Sequence, residues 1–481
     1  MKNELFIFCI VFIPILGALM LPLVGRFSKS LRNAFSFVFV LSALFFSCLL
    51  IPQALSGKSV IFVKSLPLGF NFSLTADALA VFMACVSSLV SSIIIIFSFN
   101  YISHYENQDE YYSMVTLFLG AMMGLIFSSN LILLYIFWEI TGVTSWRLIG
   151  FFRQKQQVLK ADKSFLVTVF GALLMLLGFL MIYQQIGSFD LSAIKLAAKT
   201  SPVPVLALVL ILCGIFSKSA TLPFQTWLPD AGVAPSPVTA LLHAAVLVKI
   251  GVYVFARLFI VTFAVPDFLR ILVVIIAALS AIISAGAALL ETDLKRIIAY
   301  STISQIGFIF FGFAVGNELA ITGALLYILM HGLAKAGLFL CAGIVEQNTK
   351  TKDITQLGGL IKTMPVTAIS FLFCAFSVMG VPPFGGFFSK YLVFAGSIKA
   401  MPFWIVLVYL FGAFLTVIYL FRVFNLVFLG EGHGLSAKEK GPLMIFSVAL
   451  LALLSFVGGV LIYYPSLFAK SAAVQMLGLM R

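Results

Sequence analysis

Long apolar segments follow one another along almost the whole chain and are separated by short polar loops. Each is close to the roughly 20 residues that a helix needs to cross a bilayer. About fourteen such segments are found, at approximately residues 4–24, 34–54, 77–101, 112–128, 130–150, 164–184, 204–222, 235–260, 267–290, 296–315, 320–345, 366–392, 402–429 and 442–463. The pattern predicts an all-α polytopic membrane protein with a single transmembrane domain, residues 1–481.

Two of these segments, the seventh and the twelfth, are broken by proline. The first break is at Pro223 and the second is at Pro382 and Pro383. A helix broken at bilayer depth is tolerated only where protein covers it or where it lines a wet cavity. The breaks are five segments apart, and an odd offset reverses the second helix across the membrane. This predicts two inverted five-helix repeats, repeat A at about 112–260 and repeat B at about 267–429.

Composition supports the membrane assignment and adds an orientation. The chain is 62% hydrophobic and only 10% charged, whereas a soluble protein carries about 25% charged residues. Basic residues concentrate in one set of alternate loops, which the positive-inside rule predicts to be cytoplasmic. These residues are Arg26, Lys29, Arg32, Arg153, Lys155, Lys160, Lys163, Lys295, Arg296, Lys350, Lys352, Lys362, Lys438 and Lys440. We therefore predict a multi-pass cell-membrane protein with both termini extracytoplasmic, and the net charge of +13 does not indicate nucleic-acid binding.

Several ionisable residues lie inside the apolar segments. A charged side chain at the bilayer centre costs about 2.5–3.5 kcal/mol on insertion scales, so such residues usually mark an ion pathway. His331 and Lys335 are four residues apart and share a helix face. The candidate residues for proton translocation are Glu139, Lys218, Lys249, His331, Lys335 and Lys390.

The charges of this set suggest a mechanism. Glu139 is its one acid, so only one Glu–Lys pair can form, and Glu139 is expected to set the charge state of its nearest lysine. Burial without a counter-ion favours the neutral form of a lysine, so the other lysines can accept and release protons. Breaking the pair would release a proton along the row, by which we mean the buried residues Glu139, Lys218, Lys249, His331, Lys335 and Lys390. Candidate supporting residues are His243, Asp230, Ser217 and Ser219.

Structural readings remain open for individual sites. Any one buried lysine can be half of a structural pair or can extend to the interface, and Arg147, close to a helix end, fits the second reading. For cofactors the sequence predicts none, because no Gly-rich phosphate loop or dinucleotide fingerprint is present. The histidines lack metal-ligand spacing, and the six cysteines lie in apolar segments without a C-x-x-C pair. We expect no metal site and no catalytic centre in this chain.

Several motifs resemble those of one family. They are KSATLPFQTWLPDAGVAPSPVTALLHAAVLVKIG, FWEITGVTSWRLIGF, DLKRIIAYSTISQIGF, HGLAKAGLFLCAG and GVPPFGGFFSK, and the resemblance runs from about Asp77 to Lys390. They are similar to the antiporter-like subunits shared by respiratory complex I, Mrp-type cation/proton antiporters and membrane-bound energy-converting hydrogenases. The resemblance implies fourteen transmembrane helices with two inverted repeats and broken seventh and twelfth helices. It also implies a hydrated proton track through the six candidate residues, controlled by the Glu139–Lys218 pair.

The chain departs from the family pattern at three positions. Tyr327 stands where many relatives have a second histidine, Gln225 stands where some have a histidine, and Arg147 is charged where an apolar residue is expected. The stretch VEQNTKTKDITQLGGLIKTMP resembles the Mrp and hydrogenase branches more than typical complex I subunits.

The sequence leaves three hypotheses for the function of this chain. The main hypothesis is proton translocation, with or without Na+, as a subunit of a redox-driven complex whose Fe–S centres are in partner subunits. The alternative is a subunit of a Mrp-type Na+/H+ antiporter without a redox partner. The third, a transporter or membrane enzyme for lipid-linked solutes, is disfavoured because the loops are too short for a solute pocket.

Overall fold

The computed structural model describes residues 2–65, 71–431 and 437–479. These residues form nineteen α-helices and one antiparallel hairpin of β1 (Val60–Ser65) and β2 (Asn71–Ala76). The helices are α1 Lys2–Phe27, α2 Lys29–Leu55, α3 Ala78–Tyr101, α4 Gln108–Phe127, α5 Leu131–Ile149, α6 Lys155–Ile186, α7 Leu191–Ala197, α8 Val205–Ser219, α9 Trp227–Asp230, α10 Ser236–Ala240, α11 Leu247–Phe255, α12 Asp267–Leu290, α13 Leu294–Val315, α14 Glu318–Thr349, α15 Pro365–Met379, α16 Gly385–Ile398, α17 Phe403–Phe424, α18 Pro442–Val460 and α19 Tyr463–Met476.

The predicted all-α polytopic architecture is confirmed. Twelve helical stretches within the described residues are long and apolar enough to cross a membrane. Two shorter apolar helices, α8 and α15, are the first halves of the segments that the sequence marks as broken. The total of fourteen crossings depends on how these shorter helices are counted, so it stays a prediction. The hairpin, α7 and α19 were not predicted.

The first break has a defined backbone geometry. Helix α8 ends where Ala220 adopts a left-handed conformation with φ of 52°, and the peptide bond before Pro223 is cis. The N–H groups of Ala220 and Thr221 both donate to the carbonyl of Phe216, and the N–H of Phe224 donates to Thr221. These bonds satisfy carbonyls that the end of a helix leaves free.

The second break has the same hydrogen bonds. Gly380 is left-handed, and its N–H and that of Val381 donate to the carbonyl of Phe376. The N–H of Phe384 then donates to Val381, and the peptide bond before Pro383 is again cis. Each residue of one break thus has a counterpart in the other. The match favours the predicted repeats, although the inverted relationship itself stays a prediction.

A second pair of features matches between the predicted repeats. Asn130 caps α5 and forms an antiparallel bridge to Asp190, and Asp293 caps α13 and forms one to Asp353. Both caps accept hydrogen bonds from N–H groups in the first turn of their helices, which an N-cap residue is suited to do. Helices α5 and α13 therefore begin in the same local setting.

The most enclosed helices are α13, α14 and the stretch from Ser236 to Thr262. In the most apolar part of α13 and of α14, 94% of residues are buried, whereas the share is 28% for α2 and 39% for α6. The outer helices expose rows of Leu, Phe and Ile, as expected for a surface in contact with lipid. The core is therefore the place where ionisable side chains are shielded from lipid.

Gly251 allows α11 to approach α8 closely, which gives a test of the packing. A methyl group on Gly251 would lie 2.6 Å from the carbonyl oxygen of Ile215 and 2.9 Å from Cβ of Ser219. We expect Gly251→Ala to destabilise the protein by about 1–3 kcal/mol through overpacking. The measurement is the fraction of complex that survives heating in detergent. Gly286→Ala is the control, because a methyl group there meets nothing within 4 Å; equal survival of both variants would contradict the close approach.

Candidate ion-translocation site

Glu139 and Lys218 come together around one small residue. The Lys218 side chain is buried near the end of α8, and its Nζ donates to the Trp138 carbonyl at 3.1 Å and lies 5.2 Å from the centre of the Trp138 ring. Glu139 is the next residue of α5. A methyl group on Gly142 would lie 3.4 Å from Lys218 Nζ and 3.9 Å from Glu139 Oε2. The two charged groups therefore border the same small space.

Lys218 donates to the Trp138 carbonyl rather than to the Glu139 carboxylate. The Oε1 atom of Glu139 is buried without a hydrogen-bond partner, and the Tyr135 hydroxyl, one turn earlier, interacts with the same carboxylate. A buried polar atom without a partner is uncommon in a folded protein. The geometry is that of an open pair, whose charges are close enough to interact but are not in contact.

Lys249 and His331 join buried ionisable groups of the two predicted repeats. Lys249 Nζ donates to the carbonyl of Ala244 and lies 3.3 Å from Nδ1 of His331, which is on α14. A π-helical turn at Leu241–Ala245 precedes Lys249, and such turns are frequent at functional sites. The other ring nitrogen of His331, Nε2, is buried without a partner. The imidazole therefore has one nitrogen on the lysine and one available for a further partner.

His243 lies in this same π-helical turn. Both of its ring nitrogens are buried and lack hydrogen-bond partners, and its ring lies 4.4 Å from that of Phe339 on α14. The sequence proposed His243 as a supporting residue. The structure encloses it completely in the core beside α14, without a hydrogen bond that would fix its tautomer.

Lys335 is held by hydroxyl and carbonyl oxygens of α13. Its Nζ donates to Ser301 Oγ at 2.5 Å and to the Ile298 carbonyl at 3.2 Å. The Tyr419 hydroxyl of α17 donates to the same Ser301 oxygen at 2.7 Å. Neutral acceptors surround this lysine, as its predicted lack of an anion requires.

Lys390 is linked to Tyr327 at the second break. Its Nζ donates to the Val378 carbonyl at 2.8 Å and lies 4.9 Å and 5.4 Å from the ring centres of Phe308 and Tyr327. The Tyr327 hydroxyl donates to Gln305 Oε1 at 2.5 Å. Tyr327 therefore brings a hydroxyl to the place where many relatives are expected to have an imidazole.

Asp230 lies at the predicted cytoplasmic face, in a network of ions. It accepts hydrogen bonds from Lys163 and Arg296, each at 2.7 Å, and Arg296 also pairs with Glu291. Burial raises the pKa of the Asp230 carboxyl, but the hydrogen bonds and charges of Lys163 and Arg296 outweigh it and hold the pKa below its usual value. This aspartate is a fixed anion that joins α6 to α13.

The remaining candidates have local partners. The Ser217 and Ser219 hydroxyls donate to carbonyls of their own helix, at 2.8 Å from Gly214 and 2.7 Å from Ile215. Arg147, predicted to reach the interface, pairs with Glu110 of α4. Among the residues that the structure describes, no group of three His, Cys, Asp or Glu side chains could hold a metal ion.

The sequence did not single out Gln305, Ser301 and Tyr419 as functional residues. They contact the row through hydrogen bonds, and two of them lie in the motif STISQIGF, whose serine and glutamine are four residues apart. That spacing on an apolar helix was the available signal, because it puts two polar groups on one face.

Two family descriptions match the chain. Residues 128–416 match the family described as NADH:quinone oxidoreductase/Mrp antiporter, TM, and residues 62–112 match NADH-Ubiquinone oxidoreductase (complex I), chain 5 N-terminus. The first match covers more than half of the 481 residues.

Relatives and solved structures agree with this assignment. Na(+)/H(+) antiporter subunit A1 of Staphylococcus saprophyticus is 33% identical over 496 residues, and that of Staphylococcus aureus strain MRSA252 is 34% identical over 498. Each alignment covers 96% of this chain and 61% of the relative. The chain therefore spans about three fifths of the length of these relatives.

Two solved structures have the same fold. A chain of the Mrp complex from Dietzia sp. DQ12-45-1b superimposes with a TM-score of 0.91, at 21% identity and with 99% and 98% of the two chains covered. A chain of the membrane-bound sulfane sulfur reductase, an archaeal respiratory membrane complex, superimposes with a TM-score of 0.89, at 26% identity and 97% coverage of both. The resemblance inferred from the motifs is confirmed: this chain belongs to the antiporter-like membrane subunit family shared by NADH:quinone oxidoreductases and Mrp antiporters.

Proposed function

We propose that this chain translocates protons as the antiporter-like subunit of a multi-subunit, Mrp-type Na+/H+ antiporter. The observation that carries the proposal is the contact between Lys249 and His331, which joins buried ionisable groups of the two predicted repeats. The similarity to Na(+)/H(+) antiporter A1 subunits supports the choice of this complex over a redox-driven one.

The first step of the mechanism is at Glu139 and Lys218. When the carboxylate approaches Lys218, the pair favours the charged lysine. When the pair opens, as in the described geometry, Lys218 is a buried ammonium with a carbonyl and an aromatic ring as neighbours. Loss of its proton then becomes more favourable, because desolvation opposes the charged form.

The following steps use the contact between the repeats. Lys249 and His331 can exchange a proton across 3.3 Å, because the imidazole has one nitrogen available in each direction. Beyond His331, Lys335 and the Tyr327 hydroxyl lie on the same helix, and Tyr327 adjoins Lys390. The row thus continues from α5 to the second break.

The exposed face of α5 supports an assembly with other membrane subunits. Ile136 and Val143, one turn to either side of the half-buried Glu139, are 49% and 48% exposed. A carboxylate facing lipid is unfavourable, so a neighbouring subunit is expected to cover this face. Both solved structures with this fold come from membrane complexes.

Transport in everted membrane vesicles tests the function. The full complex is expressed in a host without other Na+/H+ antiporters, and respiration acidifies the vesicle interior. Added NaCl is expected to dissipate the pH gradient in vesicles with the complex and not in vesicles without it. Absence of a Na+ response would overturn the antiporter proposal.

The redox-driven reading has one observation in its favour, the fold and 26% identity shared with the archaeal respiratory complex. It predicts Fe–S subunits among the partners. Mass spectrometry of the purified complex, together with its visible absorption spectrum, separates the readings: an antiporter contains no iron, whereas a respiratory complex contains stoichiometric iron and sulfide.

Lys390 offers a test of proton transfer at the second break. We expect Lys390→Glu to retain more transport than Lys390→Ala, because the glutamate keeps a titratable group near the Tyr327 hydroxyl. The measurement is the initial rate of Na+-dependent proton release at equal amounts of complex. Equal loss in both variants would indicate that the site needs a positive charge.

A further inference from the structure

We propose that Lys295 and Glu346 form a proton access site, through which the predicted cytoplasmic face exchanges protons with the buried row. The inference rests on the proposed function and adds to it the residues at which protons reach the row. The sequence predicted Lys295 to be a topological charge of a cytoplasmic loop, and its contacts support a further role.

The first observation is the burial of Lys295. Its side chain is 2% exposed, although it belongs to the first turn of α13. Its Nζ lies 2.5 Å from Glu346 Oε2 on α14 and donates to the Ala234 carbonyl at 3.2 Å. A lysine of the predicted loop set would be expected to extend into solvent. This one instead points inward and has a single carboxylate as its partner.

The second observation is a cavity on the outer side of the pair. Glu346 is 30% exposed and lines an open cavity of about 380 Å³. The remaining lining residues are Thr292, Asp293, Lys350, Thr351, Lys352 and Asp353. Lys352 is paired with Asp293 at 2.8 Å, which leaves the Glu346 carboxylate as the group that connects the cavity to a buried base.

The third observation is the alignment of the pair with the row. Lys335 precedes Glu346 by eleven residues on α14, which is three turns, or about 16 Å, on nearly the same face. On α13, Ile298 follows Lys295 by one turn, and its carbonyl accepts the hydrogen bond from Lys335 Nζ. The same two helices therefore hold the access site at their outer end and Lys335 in the core.

Polar groups lie between the access site at the outer end of these helices and Lys335 in the core. The Ser236 and Tyr101 hydroxyls are 3.3 Å apart, and they adjoin α14 at Gly343, one turn inward from Glu346. A methyl group on Gly343 would lie 2.7 Å from Ser236 Oγ, so the close approach depends on this glycine. His243 follows Ser236 by seven residues, or about two helical turns, and its ring nitrogens have no hydrogen-bond partner.

The transfer is balanced in protons. Hydronium in the cavity protonates the Glu346 carboxylate and becomes water. The Lys295 ammonium, no longer paired with an anion, gives its proton by way of the Ser236 hydroxyl to a ring nitrogen of neutral His243, and it becomes a neutral amine while His243 becomes an imidazolium. Glu346 then passes its proton to Lys295, and the ion pair is restored. One proton has moved from the cavity toward the row, and the reverse sequence releases one.

Arginine distinguishes this role from a structural one. Lys295→Arg keeps the positive charge and the pair with Glu346, but a guanidinium does not deprotonate in proteins. We expect Lys295→Arg, Lys295→Met and Glu346→Gln to reduce Na+-dependent proton movement to about a tenth or less of the wild-type rate, since a lost acid–base group costs 10²–10⁴-fold in other systems. Glu346→Asp is expected to retain most of it.

The measurement uses everted vesicles with the complete complex, with complex content checked on native gels. Lys362→Met, at an exposed lysine of the same predicted cytoplasmic loop that does not line the cavity, is the control and is expected to transport at the wild-type rate. A Lys295→Arg variant that transports at the wild-type rate would overturn the access site and leave the antiporter proposal intact. A wild-type complex without any Na+ response would instead overturn the antiporter proposal itself.

Discussion

Lys218→Met is expected to abolish Na+-dependent proton movement while the complex still assembles. The substitution preserves the length and apolar character of the side chain, so the packing against Trp138 survives. It removes the amine that borders Gly142 together with the Glu139 carboxylate. Without this base the row lacks its controlling group, and the rate is expected to fall by about a hundredfold or more, as for the loss of a general acid–base group. Initial rates in everted vesicles measure the effect.

Lys199→Met is the matched control for Lys218, because the same chemical change is made on an exposed lysine after α7. It is expected to leave transport unchanged. The transport rate of Glu139→Gln is expected to lie between those of Lys218→Met and Lys199→Met. The Lys218 amine remains in this variant but loses the anion that favours its charged form. Transport at the wild-type rate in Lys218→Met would exclude this lysine from the pathway.

Lys249→Met is the second variant with a large expected effect. It removes the amine that lies 3.3 Å from His331 Nδ1, a contact between the predicted repeats. Methionine occupies the space of the lysine side chain but cannot accept or release a proton, so His331 Nδ1 loses its partner for proton exchange. Transport is expected to fall by about a hundredfold, with normal complex content.

Lys195→Met, on the exposed side of α7, controls for the loss of one positive charge. His331→Phe is expected to match Lys249→Met, because either change interrupts the same contact. If His331→Phe abolishes transport and Lys249→Met does not, the proton reaches the imidazole by another route, for which His243, buried without a hydrogen-bond partner, is a candidate.

The spans were predictable because apolar length is a local property of the sequence. The predicted segment 267–290 coincides with α12, and 77–101 differs from α3 by one residue. The pair of strands β1 and β2 was missed because the strands are short and carry polar residues, so their sequence resembles that of a loop. Helix α19 was missed because only one of its faces packs on the core.

The row was predictable to the extent that charge inside an apolar segment is visible without a structure. What could not be predicted is which groups touch. The family resemblance paired Lys218 with Glu139, and the hydrogen bond of Lys218 goes to the Trp138 carbonyl. The Tyr327–Gln305 contact depends on how α13 and α14 pack, and Lys295 was assigned to a loop because its burial is created by α14 and by the backbone near Ala234.

The choice between a redox-driven complex and an antiporter was not accessible from this chain alone. Both kinds of complex use the same motifs, since the ion pathway is in this subunit while the energy source is in its partners. The sequence favoured the redox-driven complex, whereas the relatives favour the antiporter.

The matching hydrogen bonds of the two breaks allow their residues to be aligned, and the alignment shows that the lysines lie at different positions relative to the breaks. The register that pairs Thr221 with Val381 also pairs Lys218 with Val378 and Lys390 with Asp230. One break thus has its amine before the interruption and the other has it after, where it binds the carbonyl of the residue equivalent to Lys218. The two predicted repeats therefore differ in their charged groups, with the Glu139 carboxylate in the first and the Lys390 amine at the break of the second. The two ends of the proposed pathway are chemically different, so a substitution at Glu139 and one at Lys390 are not equivalent. A neighbouring subunit that contacts one end would therefore meet a different group from a subunit at the other end.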